Sequence, residues 1–301
     1  MSMSDIARKM KSAMAFSRAD APSRPSGAAL MWNGSALVAP PGADGPMETI
    51  AQWDGARNKA RWTGKRRPYA RVHVVLDEAI SYACMSPPPV GATTDAREGQ
   101  LRFGLANQSD CTMPMEDALA TSLPGEGNKR HESDILFAAS RINLARLASA
   151  AKDLGLTIKS AQPFASALAR GALEISGLSS TPGPAGVFVP GKDGSWLLVF
   201  RAGELQWLFA FHWGRDRWAS APEQLLEAIE NFNDRESNLV MESLAIIHGS
   251  DDDWSASVVA NQMEGALAGN SYFNVPTVRV DCAGEDLPRW LAIRGASHAH
   301  R

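Results

Sequence analysis

The sequence predicts a mixed α/β protein whose two parts meet at a short loop. Residues 134–177 alternate strand, helix, strand and helix, the order of a βαβ-like unit. Residues 187–213 hold three runs rich in Val, Leu, Phe and Trp, divided by PGKDGS and RAGE, a pattern typical of strands joined by hairpins. The loop SSTPGPAG, rich in proline and glycine, lies between them and marks a candidate domain boundary.

Composition and charge exclude several classes of protein. The chain has 301 residues, 45% hydrophobic and 21% charged, enough for one large domain or two ordinary ones. Its net charge of -3 argues against a nucleic-acid partner. Cys84, Cys111 and Cys282 are far apart and form no CxxC pair, which favours reduced thiols in a cytosolic protein over disulfides or a zinc site. No run reaches the roughly 20 apolar residues of a membrane-spanning helix, so we expect no integral membrane segment.

Residues 1–27 are predicted to form an N-terminal helix and a linker. Ile6, Met10, Ala13 and Met14 recur at helical spacing with basic residues between them. We expect a short helix that docks on its own domain or frays. The alternative is a weak membrane-surface or partner helix.

The first half of the chain carries hairpin and strand signals. Asn33-Gly34, between apolar runs, predicts an antiparallel pair of strands over Ala28–Trp32 and Ser35–Ala39. The pattern also predicts strands over Arg71–Leu76 and Ile80–Cys84, and a helix over Asp95–Asn107. Residues 42–69 and 108–130 are polar and mixed, and they predict no element.

The βαβ-like unit begins with a predicted strand, Asp134–Ala139. Ser140 is placed to cap a helix from Arg141 to Leu154, whose apolar residues recur every three or four positions. Gly155 is placed to end that helix in the left-handed region. We then expect a strand over Leu156–Ala161, and a helix that opens at Pro163, runs through Ile175 and ends at Gly177.

The second half continues this alternation. The predicted elements are a helix from Pro222 to about Arg235, a strand over Ser243–His248, a helix beginning at Asp251–Trp254, a strand over Val278–Val280, a helix over Leu287–Arg294 and a loose tail over 298–301. His212, between two aromatic residues, is predicted to lie in a sheet. At period two, Trp207, Phe209, Phe211 and Trp213 share one strand face, and the other face is also apolar. A buried strand is the favoured interpretation, and an aromatic interaction surface is the alternative.

Short motifs give two candidate sites. The turn Gly191, Lys192, Asp193, Gly194 and Ser195 has residue types that can hold a phosphate, but GxxxxGK[ST] does not occur and an ordinary hairpin turn explains it equally. Ser250 or Asp251 after His248-Gly249 is best explained as a helix N-cap. No histidine has a Ser, Cys or Asp partner at the spacing of a catalytic triad.

Six segments in order carry a resemblance to a known family. They are the hairpin at 28–39, VHVVLDEAISYACMSPPP at 72–89, DILFAASRINLARLASAAKDLGLTIKSAQPFASALARGA from Asp134, the hairpin at 187–211, SLAIIHGS at 243–250 and LAIRGAS at 291–297. They resemble type IV pilus assembly proteins of the PilM type and the cytoplasmic domain of GspL-type secretion proteins. The resemblance implies an actin-like ATPase (ribonuclease H-like) fold, with two lobes of mixed sheets flanked by helices across a cleft. Its domains would be a first lobe over 28–180, with an inserted α/β subdomain over about 70–140, and a second lobe over 181–297.

The nucleotide motifs of that family are altered here. The first is replaced by Asn33-Gly34-Ser35, which has no acid. The second has Pro190 directly after its strand, with Asp193 later in the turn, and the adenine-side turn is His248-Gly249-Ser250. Working actin-like sites need acids at the phosphate strands to hold the metal and position water. The resemblance therefore predicts a vestigial cleft formed by these two turns and residues 191–195, without catalytic residues, a metal site or a bound ATP–Mg²⁺.

These expectations favour a non-catalytic cytoplasmic scaffold of a type IV pilus or type II secretion-like machine, peripheral to the inner membrane. By resemblance it would dock the short cytoplasmic tail of an inner-membrane assembly protein and a motor ATPase, and it could form homo-oligomers. The alternative is an actin-like ATP-binding protein or ATPase with a divergent site, in which Lys192, Ser195 and Gly249 approach the nucleotide. A third hypothesis is a structural subunit of another assembly with no ancestral nucleotide site.

Overall fold

The computed structural model describes residues 28–39, 47–63, 71–89, 93–123, 134–235, 240–267, 275–282 and 286–297. Within them the chain forms three sheets and six α-helices. The N-terminal helix and linker expected over 1–27, and the tail expected over 298–301, lie outside the described residues. No described helix combines the length and the apolar character needed to cross a membrane.

The first lobe is built on a six-stranded sheet in the order β4-β3-β2-β1-β5-β9. Its strands are β1 (Ala28–Trp32), β2 (Ala36–Ala39), β3 (Glu48–Asp54), β4 (Lys59–Trp62), β5 (Arg71–Leu76) and β9 (Thr157–Pro163). β1 pairs antiparallel with β2, while β5 runs parallel to both β1 and β9. The predicted hairpin is confirmed, with its second strand starting one residue later.

The hairpin of β3 and β4, at one end of this sheet, was not predicted. Their sequences, ETIAQWD and KARW, bury only alternate or central residues, because they extend the sheet away from its covered middle. Half-exposed strands carry polar residues on the outer face, so the hydrophobic signal is weak.

The inserted subdomain is a three-stranded antiparallel sheet in the order β6-β8-β7. Its elements are β6 (Ser81–Ser86), helix α1 (Thr94–Ala106), β7 (Ala118–Leu123) and β8 (Asp134–Ser140). The insert was expected from about residue 70, but β5 belongs to the main sheet, because it fills the position between β1 and β9. The chain enters the subdomain only after β5.

Helix α2 (Arg141–Leu154) follows β8 without a linker. The Ser140 side chain accepts the Asn143 N–H at 3.2 Å, so the last residue of the strand is also the helix N-cap. Asp117 of the insert accepts the Ile142 N–H at 2.8 Å, and Arg141 pairs with Glu98 of α1 at 2.7 Å. Gly155 ends the helix with φ 69°, as the sequence predicts.

The second lobe contains a five-stranded sheet in the order β12-β11-β10-β13-β14. Its elements are β10 (Ala185–Val189), β11 (Ser195–Arg201), β12 (Glu204–Phe211), helix α4 (Ala221–Arg235), β13 (Ser243–Gly249), helix α5 (Asp253–Leu267) and β14 (Thr277–Val280). The three strands predicted within residues 187–213 are confirmed, and they form two consecutive hairpins. Their two apolar faces belong to different core clusters, one that continues into the first lobe and one that is local to the second lobe.

Two helices, α3 (Phe164–Ser176) and α6 (Leu287–Ser297), pack together at the junction of the lobes. Helix α3 contacts β9 of the first lobe and β10 and β13 of the second, while α6 contacts β1 and β5. Their backbones touch at two glycines. A Cβ on Gly171 would lie 2.1 Å from the Leu291 carbonyl oxygen, and one on Gly295 would lie 2.1 Å from the Ala167 carbonyl oxygen. Any side chain here forces the helices apart.

Alanine at either glycine should therefore destabilise the protein. We expect Gly171→Ala and Gly295→Ala each to lower the free energy of unfolding by about 3 kcal/mol, since backbone atoms cannot yield as a flexible side chain does. Urea denaturation followed by circular dichroism measures the change. Gly99→Ala in α1 is the control, because nothing lies within 4 Å of its added Cβ. Its helix propensity should raise stability by up to about 1 kcal/mol. Equal effects at all three positions would contradict the packing argument.

Candidate functional site

The turn between β10 and β11 is held tightly by its own groups. The Ser195 hydroxyl donates to the Trp213 carbonyl at 3.1 Å and accepts the Gly191 N–H at 3.4 Å. A Cβ on Gly214 would lie 1.7 Å from the Lys192 carbonyl oxygen, so the chain after β12 presses directly on the turn. The Ser195 side chain is thus committed to the turn and is completely buried.

A carboxylate of the same chain accepts a hydrogen bond from the backbone of this turn. The Lys192 N–H donates to the Asp286 carboxylate at 2.7 Å. Backbone N–H groups in a turn of this kind are the groups that would otherwise receive a phosphate oxygen. Asp286 directly precedes α6, so the start of that helix places the acid beside the hairpin.

Two further acids follow β5 at the junction of the lobes. Asp77 is 4% exposed and lies 3.5 Å from Arg289 of α6. Glu78 accepts the Trp196 indole N–H of β11 at 3.2 Å. Both contacts join the first lobe to elements that follow the domain boundary.

Burial raises the pKa of Glu78 to about 7, and the negative charges of Asp77 and Asp286 add to this effect. The hydrogen bond from Trp196 and the charge of Arg289 act in the opposite direction. The carboxyl group can therefore exchange a proton near neutral pH, which is uncommon for a glutamate.

A cavity of about 230 Å³ opens beside Glu78. Its walls come from the insert, the start of α3 and the second lobe, and they include Glu78, Tyr82, Asp110, Phe164, Asp193, Gly194, Ser195, Trp196 and His212. Of the predicted site residues, Asp193, Gly194 and Ser195 in the turn between β10 and β11 line this cavity. No described group of three or more His, Cys, Asp or Glu side chains is arranged to hold a metal ion.

Asp110 bridges the cavity rim. It accepts the Tyr82 hydroxyl at 2.5 Å and lies 3.2 Å from His212 Nε2. Burial, together with this hydrogen bond, raises the pKa of the Tyr82 hydroxyl. The prediction that His212 lies in the sheet is wrong: the residue follows the end of β12, because the chain bends there, and its side chain points out to meet Asp110.

The first predicted turn is closed by its own amide. The Asn33 side-chain oxygen accepts the Ser35 N–H at 3.0 Å, the Ser35 hydroxyl at 3.1 Å and the Ala36 N–H at 2.8 Å. Gly34 has φ 94° and packs against Asn143, so a Cβ there would lie 2.9 Å from that side-chain oxygen. Asn143 lines a second cavity, of about 200 Å³, which shares Glu78 and Asp110 with the first.

The third predicted turn lies elsewhere in the second lobe. His248 is buried near the end of β13, with Nδ1 3.0 Å from the Gly249 carbonyl oxygen, and Ser250 begins a short 3-10 turn. Among the described residues that line the 230 Å³ cavity, none belongs to this turn. The structure therefore does not gather all three predicted turns around one cavity.

Five residues of the site were not predicted from the sequence. Two of them, Asp77 and Glu78, could have been found, since acids directly after a buried strand collect at one edge of a parallel sheet. Asp110, His212 and Asp286 reach the site only through the fold, from loops far apart in sequence.

The structure is similar to a solved PilM–PilN type IV pilus biogenesis complex, with a TM-score of 0.53 and 13% identity over 89% of this chain and 96% of that one. The chain has a PilM-like fold. The actin-like, two-lobed α/β fold expected from the sequence is thereby confirmed. No protein-family model matches the chain, and no curated protein matches it by sequence.

The structure is also similar to two other solved structures, with lower TM-scores. The cytoplasmic domain of EpsL, an inner-membrane component of the type II secretion system of Vibrio cholerae, has a TM-score of 0.45 and 13% identity over 89% of this chain and 93% of that one. A Bacteroides thetaiotaomicron protein with an actin-like ATPase fold has a TM-score of 0.47 and 10% identity over 88% and 94%.

Glu78→Gln should change how stability depends on pH. The pKa of Glu78 is raised in the folded state, so ionisation costs folding free energy as pH rises from about 4.5 to about 7. Glutamine keeps an acceptor for Trp196 and cannot ionise. We expect the variant to match the wild type near pH 4 and to be more stable near pH 8, by at most about 1 kcal/mol, because the Glu78 side chain is exposed enough for solvent to screen its charge.

Urea denaturation across this pH range checks the prediction. Glu227→Gln, at an exposed position on α4, is the control and should give a profile parallel to that of the wild type. A Glu78→Gln profile that is also parallel to the wild type would show that this carboxyl group is already ionised at acidic pH.

Proposed function

We propose that the chain is a non-catalytic scaffold with an actin-like fold, whose cleft does not hold a nucleotide. The observation that carries the proposal is the hydrogen bond from the Lys192 N–H to Asp286. The position that would receive a phosphate oxygen is filled by a carboxylate of the same chain. A phosphate would have to displace Asp286 and leave that charge beside its own.

The charges around the turn support the same conclusion. Asp77, Glu78 and Asp286 lie close enough for the two aspartates to raise the pKa of Glu78, and Asp193 lines the same cavity. Arg289 pairs with Asp77 of this cluster. Like charges at short range repel strongly away from bulk water, so an anionic ligand is disfavoured.

Contacts across the cleft favour a fixed shape. Trp196 binds Glu78, Arg289 pairs with Asp77 and His212 pairs with Asp110, and each contact joins segments on different sides of the domain boundary. A scaffold benefits from a constant surface, whereas a nucleotide-driven cycle requires lobes that open and close.

The PilM-like fold suggests where such a scaffold would act. We propose that it belongs to a type IV pilus or type II secretion-like machine on the cytoplasmic side of the inner membrane. It would dock the short cytoplasmic tail of an inner-membrane assembly protein and a motor ATPase, and it could assemble as a homo-oligomer. The solved complex of similar fold pairs PilM with PilN in pilus biogenesis, which supports the choice of partner class.

Thermal denaturation with ATP and Mg²⁺ tests the cleft. A ligand present at 100 times its Kd and bound only to the folded state would stabilise the protein by about 2.7 kcal/mol. We expect no change in Tm up to millimolar nucleotide. A dose-dependent rise in Tm that Lys192→Ala abolishes would establish the ATP-binding alternative instead.

Affinity purification from a detergent-solubilised membrane fraction tests the partner class. The tagged full-length chain should recover a small inner-membrane protein of a pilus or secretion machine, while the tag alone should not. Recovery of no envelope-machine protein would reject the proposed setting and leave the result on nucleotide binding unaffected.

A further inference from the structure

A basic hairpin, named for Arg57, Lys59 and Arg61, stands at one end of the six-stranded sheet and joins β3 to β4. All three side chains are exposed. Residues 57–67 contain six Lys or Arg and no Asp or Glu, although the whole chain has a net charge of -3. The last three of these cations, at 65–67, lie outside the described residues. Positive charge is thus concentrated in one short stretch of an otherwise acidic chain.

The strand β4 turns two of these cations to the same side. Lys59 and Arg61 alternate with Ala60, and alternate residues of a strand point to opposite faces. Ala60 is buried, and its N–H donates to Asp153 of α2 at 3.0 Å, so α2 anchors this strand. Within the described part of the chain, neither Lys59 nor Arg61 forms an ion pair. Both positive charges therefore face solvent.

The turn of the hairpin is exposed and closed by its own carboxylate. Residues 55–59 are all exposed, and nothing lies within 4 Å of a Cβ added to Gly55. Asp54 accepts the Ala56 N–H at 3.1 Å and the Arg57 N–H at 3.2 Å. It also pairs with the Arg57 side chain at 3.7 Å, which offsets one of the positive charges. The turn thus presents a convex tip with small side chains beside its cations.

This shape decides among the anionic partners. A free phosphate binds in a concave site, and neither the 230 Å³ cavity nor the 200 Å³ cavity is lined by a residue of this hairpin. Single-stranded nucleic acid stacks its bases on open aromatic rings, whereas Trp53 and Trp62, at the base of the hairpin, are partly buried against the core. An anionic bilayer is a flat, extended surface of phosphate groups. It attracts clusters of Lys and Arg and accommodates Trp at the level of its head groups.

We propose that the basic hairpin binds the surface of an anionic lipid bilayer, with Arg57, Lys59 and Arg61 against the phosphate groups. Each Lys or Arg close to such a surface strengthens binding roughly fivefold, so a few cations give a reversible contact. The attraction also orients the protein, with this end of the first lobe toward the membrane. This inference rests on the proposed setting at the inner membrane and adds a direct contact with lipid to it.

Cosedimentation with lipid vesicles tests the proposal. The full-length protein is mixed with vesicles of phosphatidylcholine alone, or of phosphatidylcholine with phosphatidylglycerol, which supplies negative charge. We expect binding only to the anionic vesicles, and its loss when NaCl rises from about 0.1 M to about 0.5 M, since salt screens the attraction. Equal binding to both kinds of vesicle, or binding to neither, would overturn the proposal.

Neutralising the hairpin locates the contact. The hairpin variant combines Arg57→Gln, Lys59→Gln and Arg61→Gln, and it should bind anionic vesicles about 100-fold more weakly than the wild type. The matched control removes the same charge at three exposed positions outside the first-lobe sheet, with Arg97→Gln, Arg201→Gln and Arg217→Gln. It should bind within about twofold of the wild type, because distant surface charges are screened. Equal losses in the two variants would reject the hairpin as the site.

Hydrogen exchange on the wild-type protein gives a readout that does not depend on any variant. The amide groups of residues 55–61 should exchange more slowly when anionic vesicles are bound, since the bilayer covers them. Protection confined to residues 1–14 would assign the membrane contact to the N-terminal segment and overturn the proposal.

Two competitors separate the sources of negative charge. Inorganic phosphate should displace no more protein from the vesicles than NaCl at the same ionic strength. A larger displacement by phosphate would indicate a site for the free anion. Binding of a single-stranded oligonucleotide without binding of vesicles would indicate a nucleic-acid site, and either result overturns the proposal.

The vesicle experiments and the affinity purification fail independently. If the purification recovers envelope partners and the vesicles do not bind, the docking function stands and the lipid contact falls. If the vesicles bind through the hairpin and no envelope partner is recovered, the lipid contact stands and the assignment to a pilus or secretion machine falls.

Discussion

The structure depends on the contact between the backbones of α3 and α6. At Gly171 and Gly295 the two helices approach so closely that no Cβ can stand between them. Each helix touches strands of the first lobe, and α3 also touches the second-lobe sheet, so their separation sets the position of one lobe against the other. A pair of helices in contact through backbone atoms has little freedom to slide, because any movement produces overlap that no rotamer change relieves.

The chemistry of the cleft follows from that contact. The start of α6 carries Asp286 to the Lys192 N–H and Arg289 to Asp77, while the strand that precedes α3 ends next to the acids after β5. The helix that fixes the lobes thus also places a carboxylate at the Lys192 N–H of the hairpin turn. The pKa of Glu78, raised to about 7, is a further consequence, since burial and two neighbouring aspartates act together on one carboxyl group.

Local signals predicted the middle of the fold well. Ser140 and Gly155 define both ends of α2 because capping is decided by a few neighbouring residues. The edge hairpin β3–β4 escaped prediction because its outer face is polar. The site was harder to predict. Of the acids at the site, only the two after β5 lie where a sequence rule places them. Asp110 and His212 are about a hundred residues apart, and only the packing of the insert against the second lobe brings them together.

The shared residue between β8 and α2 also gives the insert a mechanical character. Ser140 ends a strand of the insert and caps a helix of the first lobe, and Asp117 and Glu98 of the insert grip the first residues of that helix. No flexible link absorbs a rotation at this point. A rotation of the outer sheet would therefore be passed directly to α2, as expected of a rigidly joined arm.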